Sequence, residues 1–205
     1  MLLCNYQSDQ LCLLSIEQQN PMRIDLSGRL WGIIVKEDED EALVTLPSEK
    51  YIQVVNTATM TLAQKIKCPG GGRGITLIDK DIAIGRRGEV SIIDKEGRHL
   101  RSITMDCPIL ISLYYGKERT LFCCDPNKLH FHNVVGTVVF SYSSDDLCNS
   151  SDVAVDVQGN LYAIGCSSNN LHRISPKGTS MGIMLNESDK LNLPQSITFN
   201  KQYSK

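Results

Sequence analysis

Much that would announce a catalyst, a membrane protein or a nucleic-acid reader is missing from this chain of 205 residues. Long hydrophobic runs are absent. The most apolar stretch, 109–115, falls far short of the roughly 20 residues a bilayer-spanning helix needs. The opening MLLCNYQSDQLCLL has no basic segment, and Asn5, Gln7, Ser8, Asp9 and Gln10 interrupt its apolar residues. Neither a secretory leader nor a membrane contact is expected, and the expected location is the cytoplasm. A basic excess is lacking too: 21 Lys and Arg face 23 Asp and Glu, for a net charge of −2, so DNA is not an expected partner. Aromatics make up only 6%, with one tryptophan, which leaves few platforms on which unpaired bases could stack. Cysteines number eight but include no C-x-x-C pair and no Cys/His ladder of zinc spacing, so reduced, buried thiols are expected. Neither a G-x-S-x-G elbow nor an H-E-x-x-H helix occurs. The one glycine-rich stretch, PGGGRG at 69–74, does not open a helical pattern, which argues against a phosphate loop. No segment carries a sustained helical period with caps.

What the chain does have is repetition. The clearest copy, 152–178, reads DVAVDVQGNLYAIGCSSNNLHRISPKG. It holds an apolar strand, an Asp-x-x-Gly turn, a second strand, a Ser/Asn turn, a third strand and a Pro-Lys-Gly turn. GITLIDKDIAIGRRGEVSIIDKEG at 74–97 has the same grammar. Aligning Ile33, Ile75, Ile111, Val153 and Ile197 gives steps of 42, 36, 42 and 44 residues. That is near the roughly 40–45 residues of a four-stranded propeller blade. Strands are expected at 31–35, 42–46, 51–56 and 62–68, then 74–78, 81–85, 89–94 and 99–105. The next set is 110–114, 120–124, 128–133 and 138–144, followed by 153–157, 160–164, 170–175 and 180–185. The opening segment supplies second, third and fourth strands at 2–5, 10–16 and 22–26, and a lone first strand is expected at 196–200. Most are short, β-branched or aromatic, and bounded by Gly, Pro, Asn, Asp or Ser.

The fold class expected is therefore all-β: a propeller of four-stranded antiparallel blades, with four full blades plus the strands of a split one. It is read as a single domain over 1–205, with repeats near 1–27, 30–68, 73–106, 109–145, 152–186 and 195–205. Two arrangements satisfy this pattern. The terminal strand completes the first blade in a five-bladed ring, or the sequence is part of a larger, six-bladed propeller. Both protect the edges of their sheets.

The 152–178 copy resembles an NHL repeat. Its shared elements are the strand ending in Asp156, the turn at Gln158-Gly159-Asn160, the strand at 161–164, Asn169-Asn170, and 171–175 followed by Pro176-Lys177-Gly178. The likeness is looser elsewhere: 31–56 carries an acidic loop in place of the Asp-x-x-Gly turn. Over nearly its whole length the chain resembles the C-terminal propellers of invertebrate tripartite-motif (TRIM-NHL-like) proteins. That resemblance implies a six-bladed, TolB-like propeller used as a binding platform for substrate recognition by a ubiquitin ligase. The ligase chemistry itself would belong to RING and B-box domains, whose zinc-ligand spacings this sequence does not contain.

In a propeller, the loops from strand four to the next strand one share a face with those from strand two to three. That face would carry Arg29, Lys50, the 69–73 loop, Arg86-Arg87 and 125–128; the acidic loop 37–41 would lie opposite. From Lys65 to Arg101 nine cations face five carboxylates, a local excess in a slightly acidic chain. Lys50, Arg73, Arg86, Arg87 and Lys128 are the candidate contacts to an acidic protein partner. Single-stranded RNA on the same face is the second reading, weakened by the shortage of aromatics. A calcium-dependent lactonase or esterase is the third. For it the first strands offer Asp79, Asp152 and Asp156 near their ends but no Glu within them, and a hard cation wants several convergent oxygens. His130 and His132, two apart on one strand, could form a metal corner with Cys124, but three or four ligands do not converge. No catalytic residue, cofactor or metal site is assigned, and the chain is expected not to be an enzyme.

Overall fold

The computed structural model describes residues 2–5, 9–13, 22–36, 39–68, 70–105, 113–115, 120–125 and 128–199. Pro69, the Glu37 and Asp38 part of the acidic loop, the expected strand start at 110–112, Lys117-Glu118-Arg119 and residue 200 lie outside them.

Among the described residues the chain is almost wholly β. A three-stranded sheet comprises β1 (Leu2–Asn5), β2 (Gln10–Leu13) and β3 (Met22–Asp25). Four four-stranded sheets follow, each with its strands side by side in chain order. They are β4 (Ile33–Lys36), β5 (Glu41–Leu46), β6 (Tyr51–Asn56) and β7 (Thr61–Lys67); then β8 (Ile75–Ile78), β9 (Asp81–Arg86), β10 (Glu89–Ile93) and β11 (His99–Thr104). Next come β12 (Leu113–Tyr115), β13 (Thr120–Asp125), β14 (Lys128–Asn133) and β15 (Val138–Tyr142). The last sheet is β16 (Ser150–Val155), β17 (Leu161–Gly165), β18 (Asn170–Ile174) and β19 (Ser180–Leu185). A single 3₁₀ turn, Glu187–Asp189, follows β19. The chain divides into two compact units, 1–86 with 91–102 and 87–90 with 103–205.

In the first unit, β5 shows why these are sandwiched strands. Residues 42–46 are all buried, on both faces. Val44 and Leu46 enter one apolar cluster with Leu11, Leu26, Leu30 and Val55. Leu43 enters another with Ile52, Val54, Ile66, Ile75, Ile82, Ile84 and Ile93. Alternate residues of one strand point to opposite faces, so a strand apolar at nearly every position needs a core on each side. The second unit has its own cluster, in which Leu129, Phe131, Tyr142 and Leu147 meet Val153, Leu161, Ala163 and Ile174. Fourth strands are different: β7 and β11 each bury one residue and β19 none.

Turns recur with one mechanism. Asp94 accepts hydrogen bonds from the amides of Glu96 and Arg98, and Asn133 from those of Val135 and Thr137. Asp156 accepts from Gln158 and Asn160, and Ser175 from Lys177 and Thr179. In each, a short polar side chain accepts from the second and fourth amides on, and the third residue on is glycine with positive φ. At Gly136 (φ 92°) the need is double: a Cβ there would also lie 2.6 Å from the carbonyl oxygen of Thr104.

The expected first strand at 196–200 does not form over its described part. Residues 195–199 are irregular. The apolar alternation of Ser-Ile-Thr-Phe is strand-like, but Asp152 takes the hydroxyl of Ser196 (2.7 Å) and the amide of Ile197 (3.0 Å). Phe199 sets its ring edge-on to Tyr162, with centroids 4.9 Å apart. The segment is held by side chains instead of a ladder.

Candidate functional site

The site is organised by Thr45, a buried residue of β5. Its amide donates to Gly32 O, and its carbonyl accepts from the Trp31 amide. Its hydroxyl accepts from the Gly32 amide (2.8 Å) and donates to the carbonyl of Arg73 (2.9 Å), 28 residues away. Arg73 is tied a second time, its amide donating to Gly85 O at 3.1 Å. A Cβ on Gly32 would come within 2.4 Å of the Arg73 carbonyl oxygen, so only glycine lets the two segments approach this closely.

This backbone clamp sets the side chains. The Arg73 guanidinium lies over the Trp31 ring, 4.2 Å from its centroid. Such a contact contributes roughly 0.5–1 kcal/mol when exposed, which biases the Arg73 rotamers toward the ring and offsets part of the entropy of ordering them. Arg73 is nevertheless exposed, and among the described residues its guanidinium has no carboxylate or hydrogen-bond acceptor. Lys50, at the β5–β6 turn, is exposed and equally without an ion pair among them. Its carbonyl accepts from the amide of Cys68, which joins that turn to the loop leading to Arg73.

Arg86 is placed differently from the expectation of an exposed contact. It is half-buried and reaches inward, Nη2 lying 3.9 Å from the Cys68 sulfur, and a Cβ on Gly70 would stand 3.5 Å from Nη1. Burial pushes the Cys68 thiol up, and the neighbouring guanidinium only partly offsets this, so Cys68 is a packed thiol and not a thiolate. Arg87 and Lys128 are exposed, and both are counted in the second unit. The site is thus Trp31, Thr45, Lys50 and Arg73, supported by Gly32, Cys68 and Arg86. Trp31 and Thr45 escape sequence reasoning, although a signal exists. Trp31 stands two residues before Ile33 and Arg73 two before Ile75, the same position in consecutive repeats.

The loops at the other ends of these strands carry as much charge, and most of it is internally paired, although exposed Lys80 has no ion pair among the described residues. Lys36 binds Glu39 (2.9 Å) and Glu41 (3.1 Å); Arg98 binds Asp94 (2.6 Å) and Glu96 (3.4 Å). Lys36, Glu39, Asp94, Glu96 and Arg98 line, with Lys80, Asp81 and Lys95, a cleft of about 450 Å³. Partial burial acts to lower the Lys36 pKa, but the two glutamates outweigh it and leave it raised. Of the acidic loop, Glu39 and Glu41 are thus engaged by Lys36, while Glu37 and Asp38 lie outside the described residues. Each of these pairs forms within one loop.

The remaining sequence candidates are structural. Asp156 accepts from two amides, from Asn160 Nδ2 and from Tyr162 Oη. Asp152 holds Ser196 and Ile197. His130 and His132 share a face with ring centroids 6.0 Å apart. Register sets Cys123, not Cys124, opposite His130, because Cys124 pairs with Leu129. Among the described residues no group of three His, Cys, Asp or Glu could hold a metal ion.

No family model matches the chain, and no curated protein matches it. Solved structures do. One is virginiamycin B lyase from Staphylococcus aureus (TM-score 0.70, 13% identity, covering 95% of this chain and 69% of that one). Another is a protein of unknown function from Bacteroides caccae (TM-score 0.72, 17% identity, 92% and 79%). A third is Kuenenia stuttgartiensis hydrazine synthase (TM-score 0.67, 16% identity, 85% and 59%). At these identities the likeness concerns the fold. Together with the four-stranded sheets it defines the class: the chain is a β-propeller of four-stranded antiparallel blades. Among the described residues no helix is long and apolar enough to cross a membrane.

Proposed function

We propose that this chain is a non-catalytic binding platform that receives an acidic protein partner on the loop rim bearing Lys50 and Arg73. The observation carrying the proposal is a contrast within one unit. Lys36, Lys95 and Arg98 of the opposite loops already have carboxylate partners, whereas Lys50 and Arg73 have none among the described residues. A cation held exposed with no partner keeps its full attraction for one supplied from outside.

The NHL-like grammar of 152–178 supports placing this platform in a TRIM-like ligase or scaffold of the cytoplasm, as its substrate-targeting part. Ligase chemistry would then reside in other domains. The test is binding of an acidic partner, or of a poly-glutamate peptide standing in for one, by the wild type and by Lys50→Glu. Weaker binding at an unchanged melting temperature is expected. Equal binding by the two proteins would overturn the proposal.

A further inference from the structure

We infer that the Arg73–Trp31 stack is a preformed carboxylate receptor, and that the side chain anchored there is a glutamate or aspartate of the partner peptide. The inference rests on the platform proposal and goes beyond it by naming the anchor and its chemistry.

Three observations carry it. First, the guanidinium is positioned over the Trp31 ring before any ligand arrives. Its Cζ lies over the Trp31 ring, 4.2 Å from the centroid, and the backbone is tied through the Arg73 amide to Gly85 and through its carbonyl to Thr45. A stacked guanidinium keeps its N–H groups in the plane parallel to the ring, where they meet the two oxygens of a carboxylate side by side. Second, those N–H groups have no acceptor among the described residues, although Arg73 is exposed. Arg98 shows the alternative in the same unit, with its guanidinium already on Asp94 and Glu96.

Third, two aromatic rings on this rim each already have a cation over one face: Trp31 has Arg73, and Tyr51, at the start of β6, has Lys65 with its Nζ 5.8 Å from the ring centroid. Sequence-tolerant RNA binding needs bare rings on which bases stack. Here each of these two rings already has a cation against one face, while the Arg73 guanidinium has no acceptor among the described residues. The arrangement therefore favours a peptide carboxylate over a nucleic-acid strand.

The chain supplies its own reporter, because Trp31 is its only tryptophan. The experiment titrates the full chain with a short fluorescein-labelled poly-glutamate peptide at roughly 0.1 M salt, where unpaired surface charges are already partly screened. Anisotropy and tryptophan emission are followed together. The inference expects saturable binding with a parallel change in Trp31 emission, and no binding of the poly-glutamine counterpart. Arg73→Lys keeps the charge but loses the planar fork, and should weaken binding about tenfold. Arg73→Gln should abolish the emission change, with circular dichroism and melting temperature as controls on folding. Binding that is unaffected by Arg73→Lys, yet weakened by Lys50→Glu, would overturn the anchor and leave the platform standing. Absence of any peptide binding would overturn both. Tighter binding of oligouridylate than of the peptide would overturn the carboxylate assignment.

Discussion

At the scale of single residues, Thr45 joins two segments of the site through one side chain. Its hydroxyl serves Gly32 and Arg73 at once while buried. Thr45→Val keeps the shape and strands an amide and a carbonyl, which should lower stability by about 1–3 kcal/mol. Urea unfolding checks this; an unchanged midpoint would show that water replaces the hydroxyl without cost. His172 gives a pH test in the second unit. It is buried, its Nδ1 lies 2.9 Å from Tyr142 Oη, and burial holds its pKa below the ordinary 6.5, against a smaller upward pull from Asp146. The folded state thus favours the neutral ring, while the unfolded chain takes up a proton as pH falls through about 6.5. Stability contributed by His172 is full above that value and declines below it, until the lower folded pKa is reached. Urea midpoints at pH 7.5 and 5.5 for wild type and His172→Gln should converge at the lower pH. A constant difference would contradict the assignment.

At the scale of elements, hairpin turns carry the repeat. The polar residue and glycine of each can be found in the sequence, because the amide-accepting side chain and the left-handed residue are local requirements. Asp94, Asn133, Asp156 and Ser175 are legible in this way, and so are most strands. The failure at 195–199 is instructive. Alternation predicts a strand there, but a ladder needs a partner strand at the right distance, and Asp152 instead gathers the donors of Ser196 and Ile197. No local pattern announces a capture across 44 residues. The turns also yield a prediction. Gly136→Ala should destabilise by at least about 2 kcal/mol, since left-handed strain adds to the approach of the Thr104 carbonyl. Thermal unfolding reads it, and a shift no larger than that of Val135→Ala, at a neighbouring exposed site, would refute the packing argument.

At the scale of the whole molecule, edges and surface charge matter most. Exposed fourth strands invite pairing with other chains unless charge protects them. β7 carries Lys65 and Lys67, and β11 carries Arg101. β19, reading SMGIML, has none, and exposes Met181, Ile183 and Met184 by 44–50%. Ile183→Lys should therefore reduce light scattering after heating and cooling, with little change in melting temperature; scattering equal to that of wild type would place the aggregation-prone segment elsewhere.

The net charge of −2 conceals how these charges are used. By itself the sequence determined the blade grammar: strand period, turn chemistry and a spacing near 40 residues are all encoded within a few positions of one another. Only the tertiary structure decided which cations are free. Lys36 and Arg98 find carboxylates within their own turns, Arg86 turns inward to Cys68, and Arg73 meets Trp31 across the step of a whole repeat. Counting charges along a chain cannot separate these cases, because a cation is neutralised or exposed by what packing brings to within a few ångströms of it.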